Sequence, residues 1–290
     1  MQRASTGVDA IEAGRGFVDL SAYRKVRVGG ADAVTWLHDL LTGDVAGLTP
    51  GAAARSLLLT PTGRIRADVH VARGEEDLLL LQDPDQPDHV GLLLAPYILS
   101  ADVALEDATA TVALFAVLGA AAGRVGHPGT GPSILGEGLD VAVGAGAPAW
   151  RFEEALIRAD LVEVGPEDLE RWRIVHGRAR MGVDFTQDSL PAEAGLETAI
   201  DWTKGCFLGQ ESAAKVRNLG HPPWVLVSCT FLGPASAGDA VLVGGGEVGH
   251  LTSVAVGDAR SSAIGRVRWE AADDILTLPD GRLLRVARVG

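Results

Sequence analysis

The sequence predicts an α+β protein ending in a small all-β unit, and three observations carry that expectation. Segments with helical and strand-like spacing are interleaved up to about residue 220. The strand-like segments are joined by tight turns, so they read as hairpins in mixed or antiparallel sheets rather than as a uniform βαβ series. After Pro222-Pro223 the helical spacing stops, and short apolar runs alternate with Gly-rich turns to the end of the chain. A chain of 290 residues with 47% hydrophobic and 22% charged residues is long enough for a large core and for more than one domain. The division falls at 1–222 for the α+β region and 223–290 for a barrel-like β domain.

Phe17–Leu20 and Arg24–Val28 read as short strands. Ala33, Trp36, Leu37, Leu40 and Leu41 have the spacing of an amphipathic helix, which Thr42-Gly43-Asp44 stops. Arg55–Thr60 is extended, and Pro61-Thr62-Gly63 turns it back. In the return strand Ile65, Ala67, Val69 and Val71 share one face, while Arg64, Arg66, Asp68 and His70 share a face read as wet. Leu78–Leu81 follows as a third strand. Val90, Leu93, Leu94, Tyr97 and Ile98 are helical, with Pro96 as kink or end. Val103–Glu106 and Thr111–Leu118 return to strand, and Gly119–Gly146, rich in Gly, Ala and Pro, reads as loops around short elements. Pro166-Glu167-Asp168 starts a helix through Leu169, Trp172 and Val175, with Gly177 as its stop. In the last part Trp224–Leu232, Ala240–Val243, Glu247–Val256, Ser262–Trp269, Ile275–Leu278 and Arg282–Arg288 are strand-like. No internal repeat is evident.

The formal net charge of −13 argues against broad nucleic-acid binding, which needs a basic surface. The longest apolar runs are too short to span a bilayer, and no basic segment followed by an apolar core marks a secretory signal. Two cysteines, Cys206 and Cys229, give neither a disulfide framework nor metal-ligand spacing, so a cytoplasmic location and no resident metal are expected.

The most chemically loaded stretch is Lys204-Gly205-Cys206-Phe207-Leu208-Gly209-Gln210-Glu211, which runs into a segment that reads as a helix start. A helix N-terminus and a neighbouring ammonium favour an anion and would raise the thiolate fraction of Cys206. The alternative is a small apolar Cys in a tight loop. Between 204 and 221, Lys204, Lys215 and Arg217 stand against Glu211 alone. That is either a small cationic site suited to a carboxylate-bearing ligand or a solvated helix face.

This stretch resembles the KGC[FY]xGQE signature of the YgfZ family, folate-binding proteins related to the glycine-cleavage T-protein, an aminomethyltransferase. Asp19 through Val45 and Leu190-Pro191-Ala192-Glu193-Ala194-Gly195-Leu196 add to the resemblance, which covers about residues 17–225. It implies a T-protein-like fold, in which two intertwined α+β lobes bind tetrahydrofolate or a one-carbon derivative and a C-terminal β-barrel packs on them. It further implies one-carbon metabolism and a folate-dependent role in iron–sulfur cluster assembly or repair, with Cys206 as the functional thiol and iron–sulfur client or assembly proteins as partners. Folate needs a slot, an acceptor for pterin N–H groups and cations for its tail. Glu193 and Glu211 are candidate carboxylates, Trp202 a slot wall, and Lys204, Gly205 and Gln210 belong to the signature. Two departures stand out. His176 falls where the T-protein pattern has a pterin-facing glutamate, and Asp88 is what remains near its catalytic aspartate. The alternatives are a folate-dependent aminomethyltransferase or demethylase using Asp88, and an interaction module that has lost folate.

Overall fold

The computed structural model describes residues 6–289 as three sheets and six α-helices. The first sheet holds β1 (Gly16–Asp19), β7 (Val112–Leu118), β8 (Gly138–Gly144) and β9 (Val162–Glu163) in the order β8-β7-β1-β9. Only β1 and β9 run parallel in it. The second is fully antiparallel: β2 (Arg24–Gly29), β3 (Ala53–Leu59), β4 (Ile65–Arg73), β5 (Leu78–Gln82) and β6 (Ala104–Asp107), in the order β3-β4-β5-β2-β6. The third comprises β10 (Trp224–Leu232), β11 (Ala240–Val243), β12 (Gly246–Ala255), β13 (Arg260–Arg268) and β14 (Arg285–Arg288), in the order β11-β12-β13-β10-β14.

The helices close the open faces of these sheets. They are α1 (Thr6–Glu12), α2 (Ala33–Leu40), α3 (Val90–Leu94), α4 (Ala147–Arg158), α5 (Pro166–Val175) and α6 (Gln210–Leu219). Helix α2 buries Ala33, Trp36 and Leu37 against the second sheet, on a core that includes Val26, Val28, Val69, Val71, Leu78 and Leu80. Helix α4 buries Phe152 and Leu156, four apart on one face, with the Phe152 ring 5.4 Å from that of Phe115 on β7. The third sheet encloses its own core of Val225, Val227, Cys229, Phe231, Leu251 and Val267. Where the three parts meet, Leu57, Leu59 and Ile65 pack with Met181, Phe185, Phe207, Ala213, Leu226 and Ile264.

The mixed sheets and the turn at residues 61–63 match the expectation, but three local readings change. Residues 138–144, read among loops, form β8, which pairs along the whole of β7; its apolar Leu139, Val141 and Val143 alternate within a Gly-rich context that hid them. Ile275–Leu278 is not a strand, since only Thr277 bridges, to Leu242 and Leu283. The face of β4 read as wet is so only at Arg64 and Arg66: His70 is 4% exposed and the Asp68 side chain 12%, because that end of the face lines a cavity rather than the outside.

A buried ion pair ties the third sheet to α5. The Arg173 side chain donates to Asp184 at 2.8 Å, to both oxygens of Glu170 at 2.6 Å, to the Ser253 hydroxyl at 2.9 Å and to the Arg178 carbonyl at 3.1 Å. Asp184 in turn accepts from the Thr252 and Ser253 hydroxyls, each at 2.6 Å, and from the Arg180 amide at 2.9 Å. Removing one partner of a buried pair strands the other charge, which costs about 3–5 kcal/mol. Asp184→Ala is therefore expected to lower the unfolding free energy by about that amount in urea denaturation, whereas Asp188→Ala, in the exposed turn nearby, leaves the midpoint nearly unchanged.

Candidate functional site

The signature loop is built by the approach of α6 to the hairpin turn. Gly209 begins α6 at φ +83, and a Cβ there would lie 2.3 Å from the Thr60 carbonyl, so no other residue fits. This close approach holds Cys206, which is exposed, beside the helix start. Lys204, however, is not available to a thiolate. Its ammonium donates to the carbonyl of His38, to that of Leu41 at 2.6 Å and to that of Gly43 at 2.9 Å, so it caps the C-terminal end of α2. Burial pushes its pKa down to about 8, against which the negative charges of Asp44, Asp39 and Asp201 favour the charged form.

The other signature residues take structural positions. Gly205 lies in the exposed loop, Gln210 begins α6, and Glu211 is exposed and paired with Lys215 at 2.9 Å. Trp202 carries the Arg217 guanidinium over its ring at 4.6 Å and borders a hollow of only about 10 Å³, room for a water but not for a pterin. Glu193 is buried and accepts the Leu190 amide at 3.1 Å, closing its own turn. His176 faces outward: one ring nitrogen meets the Trp172 carbonyl at 2.9 Å and the other lies 3.2 Å from Glu12. Asp88 pairs with Arg66 at 3.2 Å. The sequence reading brought the folate-binding candidates to one slot; none of them lines the cavity bounded by Tyr23, His70 and Trp172.

That cavity, of about 150 Å³, lies between the polar face of β3 and β4, the segment at 134–135, α5 and the segment at 178–181. Tyr23, Ile134, Leu135, Trp172 and Met181 supply its apolar wall. Its charged wall is Arg55, Asp68, Asp83, Glu170, Arg178 and Arg180. The Arg55 and Asp68 groups face each other fork to fork, one bond being 2.8 Å. Buried His70 donates from Nε2 to the Pro132 carbonyl at 2.8 Å, and burial holds its pKa below the ordinary value, so the ring is neutral. Burial also raises the Asp83 carboxyl and the Tyr23 hydroxyl above their usual ranges. The Arg178 guanidinium stacks on Trp172 at 4.9 Å. Among the described residues no group of three or more acids, cysteines or histidines could hold a metal.

Comparison with known proteins places this architecture. Residues 2–130 match the family model described as the GCVT N-terminal domain. The fold superposes on the glycine cleavage aminomethyltransferase T of Bartonella henselae with a TM-score of 0.80, at 21% identity, over 97% of this chain and 87% of that one. The chain thus shares the fold of the glycine-cleavage T-protein, and its N-terminal part is similar to the GCVT N-terminal domain. An aminomethyltransferase from Chlorobium chlorochromatii is 26% identical over 78% of this chain and 70% of its own length. A chloroplastic Arabidopsis thaliana protein with a provisional transferase name is 27% identical over 91% of this chain and 68% of its own.

Sequence reasoning passed over this cavity because its walls are drawn from distant segments. One signal was present: the charged face of β4, Arg66, Asp68 and His70, lies opposite a fully apolar one. The two thiols give a direct check of the loop. Cys229 is buried in the third sheet, and burial pushes its thiol up to about 12. A chromogenic disulfide reagent at pH 8 is expected to titrate one thiol in the native protein and two in denaturant, and Cys206→Ser should abolish the native reaction.

Proposed function

We propose that this protein binds a reduced folate in the cavity beside His70 and Trp172 and serves the assembly or repair of iron–sulfur enzymes, with Cys206 as its working thiol. The observation that carries the ligand reading is the wall itself, in which a flat apolar surface adjoins arginines not matched by free acids. The Arg180 Nε is buried with no partner, which marks a polar atom awaiting one. Tyr23, Ile134, Leu135 and Met181 offer an apolar face to a heterocycle, and Asp83 an acceptor for its N–H groups. At about 150 Å³ the space takes one end of such a ligand, and the rest leaves by the mouth. Aminomethyltransferase relatives make tetrahydrofolate the natural choice.

Bound folate would supply the one-carbon carrier, while the chain's own residues orient it and keep water from one face. The thiol reading rests on the exposure of Cys206 and on the intact signature around it. A lone thiol cannot hold a cluster, so its chemistry is transient and involves a partner protein. A second reading, folate-dependent aminomethyl transfer, is favoured by Asp83, a cavity carboxyl whose raised pKa suits a general base. Asp88, part-exposed and paired with Arg66, lies outside the lining of that cavity.

Calorimetric titration with tetrahydrofolate is expected to give saturable 1:1 binding, weakened about tenfold by Tyr23→Leu and unchanged by Glu211→Ala. Absence of binding at high ligand concentration would overturn the ligand reading. Cys206→Ala should bind folate normally yet fail to restore iron–sulfur enzyme activity in a strain lacking this protein; full rescue would remove the thiol from the account.

A further inference from the structure

Each charged side chain of the cavity can be followed to its partners. Asp68 is held fork to fork by Arg55. Both oxygens of Glu170 accept from Arg173, and Asp184 behind them is filled by Arg173, Thr252, Ser253 and the Arg180 amide. Gln86 is fully engaged with Asp68 backbone groups and Gln82. Apart from Asp83, which accepts only the Asp85 amide at 2.8 Å, the acceptors are committed, and two sets of donors are not. The Arg178 guanidinium makes no hydrogen bond or ion pair among the described residues, and Arg180 reaches Asp85 and Glu170 only at 3.6 and 3.8 Å.

Arg178 is nevertheless held in place. Trp172 lies under one face of its guanidinium, and Gly136 presses so close that a Cβ there would sit 2.4 Å from Nη2. Gly136 adopts φ +122, open to glycine and to few other residues. Arg178 is exposed at the mouth of the cavity; partial loss of water around its guanidinium and the positive charge of Arg55 both bring its pKa down, so an anion is favoured beside it. A guanidinium offers donors only, in a planar fork that matches a carboxylate bidentately.

Building on the folate reading, we infer that Arg178, with Arg180 beside it, receives a carboxylate of the ligand, so that the acidic tail rather than the pterin lies against Trp172 and Gly136. The pterin end is then left to Asp83 and Tyr23.

The experiment titrates wild type, Arg178→Met and Arg178→Lys with three probes: tetrahydrofolate, 4-aminobenzoylglutamate, which lacks the pterin, and 6-hydroxymethylpterin, which lacks any carboxylate. Arg178→Met keeps the apolar stem and should weaken the first two about 10- to 100-fold while leaving the pterin probe unchanged. Arg178→Lys, which keeps the charge but not the fork, should fall between. Equal affinity of wild type and Arg178→Met for the carboxylate probes overturns the inference, as does an equal loss for the pterin probe. Binding of 4-aminobenzoylglutamate through Arg178 without binding of tetrahydrofolate would sustain the carboxylate site and sink the folate reading alone. A wild type that binds none of the three sinks both.

Discussion

A guanidinium removed from water must be met by acceptors on its N–H groups, and Arg173 is met by Glu170 on its own helix, Asp184 and the Arg178 carbonyl on the following segment, and Ser253 on β12. The two acids come from the chain just before and just after it, while the hydroxyl comes from a different sheet. The attraction is strong only in this geometry, because burial of an unmatched charge costs several kcal/mol. Arg173 thus fixes where the third sheet sits against α5 and where the segment at 178–181 begins.

The cavity follows from that placement. Trp172 precedes the buried cation by one residue and faces the opening, while Arg178 and Arg180 follow at intervals that the Gly177 turn (φ +63) and the Asp184 cap determine. Because Glu170 and Asp184 are hydrogen-bonded to Arg173, Arg180 meets Glu170 only at 3.8 Å and the Arg178 guanidinium pairs with neither. An acidic protein thereby keeps a small region rich in unmatched donors, which pairwise packing elsewhere would have removed. Lys204 is the contrasting case: also a cation in a family-like motif, but satisfied by three backbone carbonyls and so part of the framework.

Much of the fold was legible because local signals and tertiary structure agree. The 33–41 spacing gave α2, Pro166 and Gly177 bounded α5, and the turn at 61–63 gave the β3–β4 hairpin. Local signals failed at β8, where glycines interrupt the apolar alternation and only pairing with β7 decides the conformation. The site was harder to read. The signature pointed to the loop at 204–211, but residue type does not say where a side chain points. Lys204 turns toward α2, His176 toward Glu12, and Glu193 into its own turn. The donors that remain open come from segments with no signature, and their freedom depends on which acids Arg173 already holds.

The most direct test is a crystal structure of the protein with 5-formyltetrahydrofolate, a stable reduced folate. The account predicts one ligand in the space bounded by Tyr23, His70 and Trp172, with its carboxylate end on Arg178 and Arg180 and its pterin toward Asp83. A ligand seated instead at Trp202 and Lys204 beside Cys206, or a pterin stacked where the carboxylate is placed, would contradict it.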